Sequence, residues 1–356
     1  MISAIRRTAL SLLLVVLLGG LSACTADPLK VPLTFKKNIQ LPPDPSGVPA
    51  IDLLTLDSTA GRLYVPHGSV NTLDIIDVKS AKIIGSVPNL PGIKGTALSS
   101  DPNVIFTANG SDGSVSVVDV KALKILATIK MGKSADAIDY DPVHGLIMVS
   151  LNSDVLGFID EKTRKETGRL QLPGKAELRA IDPKQGRVFQ SINDKDEVLL
   201  IDPVTRSVLK TYKGCDIKAP TGIVFDPDQQ RLFVVNAITH TANEVSIVDV
   251  LLDKCLGTVD IDHGPDQAAF HARPHHLYAS NHWSNNFTVI DMVSTQPRGF
   301  VGTGNLAATV PADLCPGTLR LPLHPTLHLP QARRPQSHRP PAPSQHPPAP
   351  LHTSRP

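Results

Sequence analysis

Small polar and acidic residues recur at one position of this 356-residue chain: Asp52, Thr96, Asp136, Glu177, Thr221 and Asp266. Each lies five residues before a turn-type Asp or its counterpart, and four of the six are carboxylates. Gathered at one mouth, they would focus a negative potential that draws cations or basic groups. They could also supply oxygens to a divalent cation such as Ca²⁺, which needs several of them within about 2.6 Å. The plainer alternative is that each Asp or Thr caps a turn. A second set follows another recurring apolar run: His67, Asn109, Asn152, Asn193, His240 and Asn281-His282-Trp283. Here His67, Asn109, His240, His282 and Trp283 are candidates for ligand contact, and the lone tryptophan suits stacking or an interface anchor. The asparagines serve equally well as turn residues. His271, His275 and His276 have the types of metal ligands but fall on a turn expected at the opposite end. No Gly-rich phosphate loop, zinc-spaced cysteine set or Ser nucleophile elbow occurs, so no catalytic residue is assigned.

The elements that must position these residues are set by a repeat. An apolar-Ile/Val-Asp motif ends at Asp77, Asp119, Asp160, Asp202, Asp249 and Asp291, about 42 residues apart except for a 47-residue step into the fifth copy. Upstream lies a second apolar run, such as Arg62–Val65 or Arg231–Val234, and before it a turn such as Asp141-Pro142. Downstream lies a third, such as Lys124–Ile129. Four short β-branched runs per period, punctuated by Gly, Asn, Asp and Pro, are the pattern of a four-stranded propeller blade. The units run roughly 49–89, 93–131, 134–172, 176–213, 219–262 and 265–303. Each repeated Asp precedes a turn and is expected to cap it rather than to do chemistry. Cys215 and Cys255 fall after one outer run and before another, at opposite ends of neighbouring sheets, so they are expected to stay unpaired.

Leu63-Tyr64-Val65, Phe106-Thr107-Ala108-Asn109 and Phe233-Val234-Val235-Asn236 resemble the second strand of the YVTN-type β-propeller repeat, a family of bacterial and archaeal envelope proteins. The resemblance covers about residues 35–303. It implies an all-β propeller that closes with seven blades, the last one pairing strands from both chain ends. Six complete blades are expected, with an incomplete seventh represented by an outermost strand at Phe35–Leu41. Propellers of related form include binding proteins, lactonases, quinone-dependent dehydrogenases and single-stranded nucleic-acid binders.

At the N-terminus, Arg6 and Arg7 precede an apolar run from Ala9 to Leu18 and then Leu21-Ser22-Ala23-Cys24. This is a secretory signal, too short to span a bilayer. Its ending is similar to a bacterial lipobox, which implies lipid attachment at Cys24 and a short tether over residues 25–34. Thr25 favours the outer membrane where two membranes exist. The propeller is placed at 35–304. From Leu319 onward, 30 of 38 residues are Leu, Pro, His, Gln or Arg, and 13 of the chain's 32 prolines fall within Pro311–Pro356. Disorder is predicted over 305–356. The tail is either a low-complexity segment or the product of a shifted reading frame, which would explain the loss of the closing blade where its three strands are due.

The net charge of +2 divides unevenly. The signal and the arginine-bearing tail are basic, leaving about −4 on residues 25–304, which disfavours nucleic acid as a partner. The expected function is therefore a non-catalytic binding or scaffold propeller on the cell envelope. A protein or envelope polymer would dock on the loop face around the channel. A metal-dependent hydrolase or oxidoreductase using the acidic ring is the main alternative, and single-stranded nucleic-acid binding the third.

Overall fold

The structure of the chain, a computed structural model, describes residues 39–45, 50–237, 243–271 and 274–303. It contains six four-stranded antiparallel sheets, arranged as the blades of a β-propeller. Blade 1 holds β1–β4 (Thr55–Asp57, Arg62–His67, Thr72–Asp77, Lys82–Val87) and blade 2 holds β5–β8 (Ile93–Ala97, Val104–Asn109, Ser114–Asp119, Lys124–Lys130). Blade 3 holds β9–β12 (Ala135–Asp141, Leu146–Leu151, Val155–Asp160, Lys165–Gln171) and blade 4 holds β13–β16 (Ala176–Ile181, Val188–Ile192, Glu197–Asp202, Ser207–Lys213). Blade 5 holds β17–β20 (Pro220–Asp226, Arg231–Ala237, Asn243–Asp249, Lys254–Asp260) and blade 6 holds β21–β24 (Pro265–His271, His276–Asn281, Asn286–Asp291, Gln296–Gly302).

Burial follows the order of strands within a blade. The second and third strands are buried on both faces, which is why they read as continuous apolar runs rather than alternating ones. The outermost strands alternate or are exposed throughout, as in the exposed–half-buried pattern of β8. The core lies between blades. Phe106, Val115 and Val117 of blade 2 pack with Ile138, Ile147 and Val149 of blade 3. Every blade contributes one fully buried large aromatic, Tyr64, Phe106, Phe158, Phe189, Phe233 or Phe287. Each such side chain contributes about 2–3 kcal/mol.

The six repeated aspartates cap turns, as expected. Asp77, Asp119, Asp160, Asp202, Asp249 and Asp291 each accept a backbone N–H two or three residues on, such as Ser80 to Asp77 at 2.7 Å and Leu252 to Asp249 at 2.7 Å.

Each described blade is made of consecutive strands. Ile39 and Leu41 are buried but lie outside any strand, against Leu54, Leu63, Val65 and Ile76 of blade 1. The rest of the segment expected to start a seventh blade, and the whole segment from 304 onward, lie outside the described residues, as does Cys24.

Cys215 and Cys255 form a disulfide, with Cα atoms 5.1 Å apart, against the expectation that they stay unpaired. Blade twist accounts for it. Adjacent strands rotate by roughly 20–25°, so by the fourth strand the chain runs well aslant of the propeller axis. The end of β16 thereby swings toward the start of the outer strand in the next blade, where Cys255 pairs with Val248 in the ladder. Ile217 and Cys215 join the core that contains Val248 and Val250.

Candidate acidic channel mouth

The innermost strands carry their candidate residues on bulges. Each of these strands pairs its first residue with the end of the second strand, and the register then slips: after Ile93 in β5, Ala135 in β9, Ala176 in β13, Pro220 in β17 and Pro265 in β21. The residues on these bulges are Lys94, Asp136, Glu177, Thr221 and Asp266. In blade 1, Asp52 follows Ile51, which bridges to His67. A bulge frees its residue from the ladder and re-aims the side chain, here at one mouth of the channel. Gly222 sits on one of these bulges because a Cβ there would come within 2.8 Å of the Asp266 carbonyl oxygen.

Asp136, Glu177, Thr221 and Asp266 share this bulge position and Asp52 takes its place in blade 1, whereas Thr96 lies off it. Lys94 occupies the ring in blade 2, and Thr96 lies two residues deeper, paired with Thr107 beyond the bulge. The error came from taking Asp101 as the turn residue. Ser99 has that role, its hydroxyl accepting the N–H of Asp101 at 3.2 Å as Asp141 accepts that of Val143 at 2.9 Å. Counting back five from Ser99 gives Lys94.

The carboxylates act on one another. Burial, followed by the charges of Asp52, Glu177 and Asp136, pushes Asp266 up to about 7. Asp52 is also raised, by burial first and by Asp136 and Glu177, although Lys94 ion-pairs with it at 3.2 Å and opposes the shift. Lys175 pairs with Glu177. Two lysines thus face four carboxylates, and the mouth keeps an excess of negative charge. Among the described residues, no group of three or more His, Cys, Asp and Glu side chains is arranged to hold a metal ion. The ring therefore does not fit a Ca²⁺ centre of its own.

Because Asp266 holds its proton in the fold at pH values where the unfolded chain has lost it, stability falls as pH rises from about 4 to about 7. Asp266→Asn is expected to raise the melting temperature by a few degrees at pH 8, corresponding to about 1–2 kcal/mol for this half-buried group. The gain should shrink toward pH 5. A gain independent of pH would contradict the crowding of charge.

The loop-face candidates divide. His67 and Asn109 are fully buried rather than presented to solvent. In four blades a polar residue at the end of the second strand bonds to the third strand two positions past its ladder partner. Asn109 donates to Ser116 Oγ at 2.8 Å, Asn236 to Ser246 Oγ at 2.8 Å, and the Asn281 amide hydrogen-bonds Thr288 Oγ1 at 2.8 Å. In blade 1 the same pair is His67 Nδ1 with Asp74 at 3.2 Å. Hydrogen bonding to Asp74, against burial, raises the His67 pKa, and Asp44 adds to it from 3.5 Å. The seven-residue spacing of three of these pairs, stretched to ten in blade 5, was a readable signal of an internal bond. Asn152 takes a left-handed turn conformation, and Asn193 opens a short 3-10 turn. His240 lies outside the described residues. His275 pairs with Asp226 at 3.4 Å on the turn at the far end. Among the described loop-face candidates, Trp283 is exposed and His282 beside it is half-buried. The Trp283 indole lies against Gly264, where a Cβ would come within 2.6 Å of the ring, two residues from Asp266.

Beneath the mouth lies a cavity of about 270 Å³ lined by all six innermost strands. Its walls include Leu53, Ile138, Leu178, Ile223 and Phe270, with Thr96, Asp139, Arg179 and Gln267 as polar members. Sequence reasoning missed Asp139 and Arg179. Arg179, whose side chain is fully buried, ion-pairs with Asp139 at 2.7 Å.

No protein-family model matches the chain, and no curated protein matches it. Among solved structures, it is similar to a chain of Kuenenia stuttgartiensis hydrazine synthase, with a TM-score of 0.67 at 16% identity, covering 78% of this chain and 93% of that one. At that identity the likeness speaks for the propeller fold alone.

Proposed function

We propose that the protein is a non-catalytic binding propeller of the YVTN type, displayed on the cell envelope, whose channel mouth captures cationic groups of a ligand or partner. The observation that carries this reading is the crowding that lifts Asp266 to about 7 through the charges of Asp52, Glu177 and Asp136. Carboxylates held this close without enough lysines to neutralise them are relieved by an incoming cation. The LYV-type motifs lie on second strands, consistent with the family pattern. The disulfide suits an exported protein, in keeping with the proposed signal and lipid attachment at Cys24. A metal-dependent hydrolase is not favoured, because the carboxylates do not assemble into a ligand set. Single-stranded nucleic acid would need a basic groove.

The test is calorimetric titration with hexalysine at low ionic strength. Binding is expected, stronger at pH 8 than at pH 6 as Asp266 ionises, and weakened about tenfold in Asp136→Asn/Asp266→Asn. Added salt should weaken it, and hexaglutamate should not bind. Failure of hexalysine to bind, or indifference to the double substitution, would sink the reading.

A further inference from the structure

The cavity below the mouth extends the candidate site rather than closing it. Thr96 is 4% exposed, lines the cavity, and its Oγ1 has no hydrogen-bond partner. A buried hydroxyl without a partner is costly unless something enters to satisfy it. Asp139 stands on the neighbouring strand. Its Oδ2 receives Arg179 Nη1 at 2.7 Å, yet its side chain keeps 37% of its surface accessible, and it faces the cavity. The donors of Arg179 are committed elsewhere, to Gln190, Ser150 and the carbonyls of Ala137 and Met148. What the cavity offers a ligand is therefore acceptors: the carboxylate of Asp139 and the Gln267 amide oxygen, with the Thr96 hydroxyl behind the wall and within reach once its side chain turns.

Spacing sets the length of what would fit. Asp136 and Asp139 are three residues apart on β9, about 10 Å at the rise of a strand. An odd separation would normally turn them to opposite faces. The bulge between Ala135 and Ile138 inserts the extra residue that lets both address the channel. Between the two levels the wall is apolar, with Leu53, Ile138, Leu178 and Ile223, and Phe270 lies one residue deeper.

Building on the cationic reading of the mouth, we propose that the channel is a subsite for a primary ammonium carried on an unbranched apolar stem. One charge would lie at the mouth carboxylates and a second ammonium would lie deep, bonded to Asp139, with the Thr96 side chain turning to present its hydroxyl. The stem would run along the apolar wall. The Arg179–Asp139 pair is neutral in sum, so the deep ammonium is held by hydrogen bonds and the mouth supplies the attraction. A free polyamine and the lysine side chain of a polypeptide share this chemistry.

The experiment titrates the full chain with spermidine, hexalysine, n-butylamine and Mg²⁺ in separate runs. Spermidine is expected to bind one to one, at least tenfold more tightly than n-butylamine or Mg²⁺. Thr96→Val, which keeps the shape of the side chain, should weaken spermidine three- to tenfold, and Asp139→Asn should do the same. The melting curve of each variant identifies any loss of fold, and Thr96→Val keeps the test available should Asp139→Asn unfold. Loss of hexalysine affinity in Thr96→Val would assign the channel to a lysine side chain as well, whereas an effect on spermidine alone would assign it to free polyamines. If both probes bind through the mouth but neither responds to Thr96→Val and Asp139→Asn, the channel subsite is overturned and the mouth stands. If neither probe binds, both are overturned.

Discussion

Replacing Arg179 with Met is expected to destabilise the protein by about 3 kcal/mol, at the lower end of the range for breaking a buried ion pair. The lower end applies because Asp139, left behind, is 37% accessible to the cavity and can recover some hydration. Arg179 ties two blades together at the channel. From β13 it reaches the carbonyls of Ala137 and Met148, the carboxylate of Asp139 and the hydroxyl of Ser150 in blade 3, while Gln190 of its own blade fixes Nε at 2.9 Å. Loss of the guanidinium strands several acceptors at once. The cost should also depend on pH. Burial already raises Asp139, opposed by Arg179, and without its partner the carboxyl would hold its proton to still higher pH. Stability of the variant relative to the native protein should therefore be worse at pH 8 than at pH 5. Urea denaturation at both pH values checks this. Arg179→Met/Asp139→Leu should recover at least half of the loss, since apolar replacement of a whole buried pair is often near neutral. A loss below about 1 kcal/mol in the single variant would mean that the pair is not what joins blades 3 and 4 at the channel.

Arg179 marks where sequence reading stopped. The blades were legible because their signals repeat: an apolar second strand, an apolar third strand ending in Asp, and a turn after it, six times in phase. A periodic signal survives one bad copy, as when Ser99 replaces the turn Asp of blade 2. A site position inferred by counting within one copy does not survive it, and Thr96 was placed two residues out for that reason. Arg179 and Asp139 have no counterparts in other blades, so the repeat could not announce them. The only hint was a lone cation inside the run Ala176–Ile181, which has meaning only once the opposing strand is known. His67 and Asn109 failed differently. Polar residues at the end of an apolar strand read as loop contacts, yet they face Asp74 and Ser116 across the ladder. The disulfide was missed because counting along strands ignores twist, which is a property of the assembled sheet.

Breaking the Cys215–Cys255 disulfide is expected to have the other large effect. The bond closes a loop with a sequence separation of 40, and the loop-entropy relation gives about 4 kcal/mol for that length. Local structure argues that the native state also depends on it. The connector from blade 4 to blade 5 takes positive φ at Gly214, Cys215, Asp216 and Ala219, four of six residues in the conformation that side chains other than glycine disfavour. Besides the bond, it is held by Ile217 in the core, by Asp196, which accepts the N–H of Ala219 at 2.8 Å, and by Asn236, which accepts the N–H of Lys218 at 3.1 Å and donates to the Asp216 carbonyl at 2.9 Å. Cys215→Ser and Cys255→Ser should each lower stability by about 2–4 kcal/mol in urea denaturation. The double variant should be no worse than either single one, because one bond is lost in all three. Reductant should bring the native protein to the same midpoint and leave the variants unchanged. None of the mouth carboxylates lies on the connector, so hexalysine affinity should stay within about twofold wherever the reduced protein remains folded. Additive losses in the double variant, or peptide mapping without reductant that shows both thiols free, would contradict the bond. A parallel loss of hexalysine affinity would place the mouth under the control of this connector instead of the bulges that carry Asp136, Glu177 and Asp266.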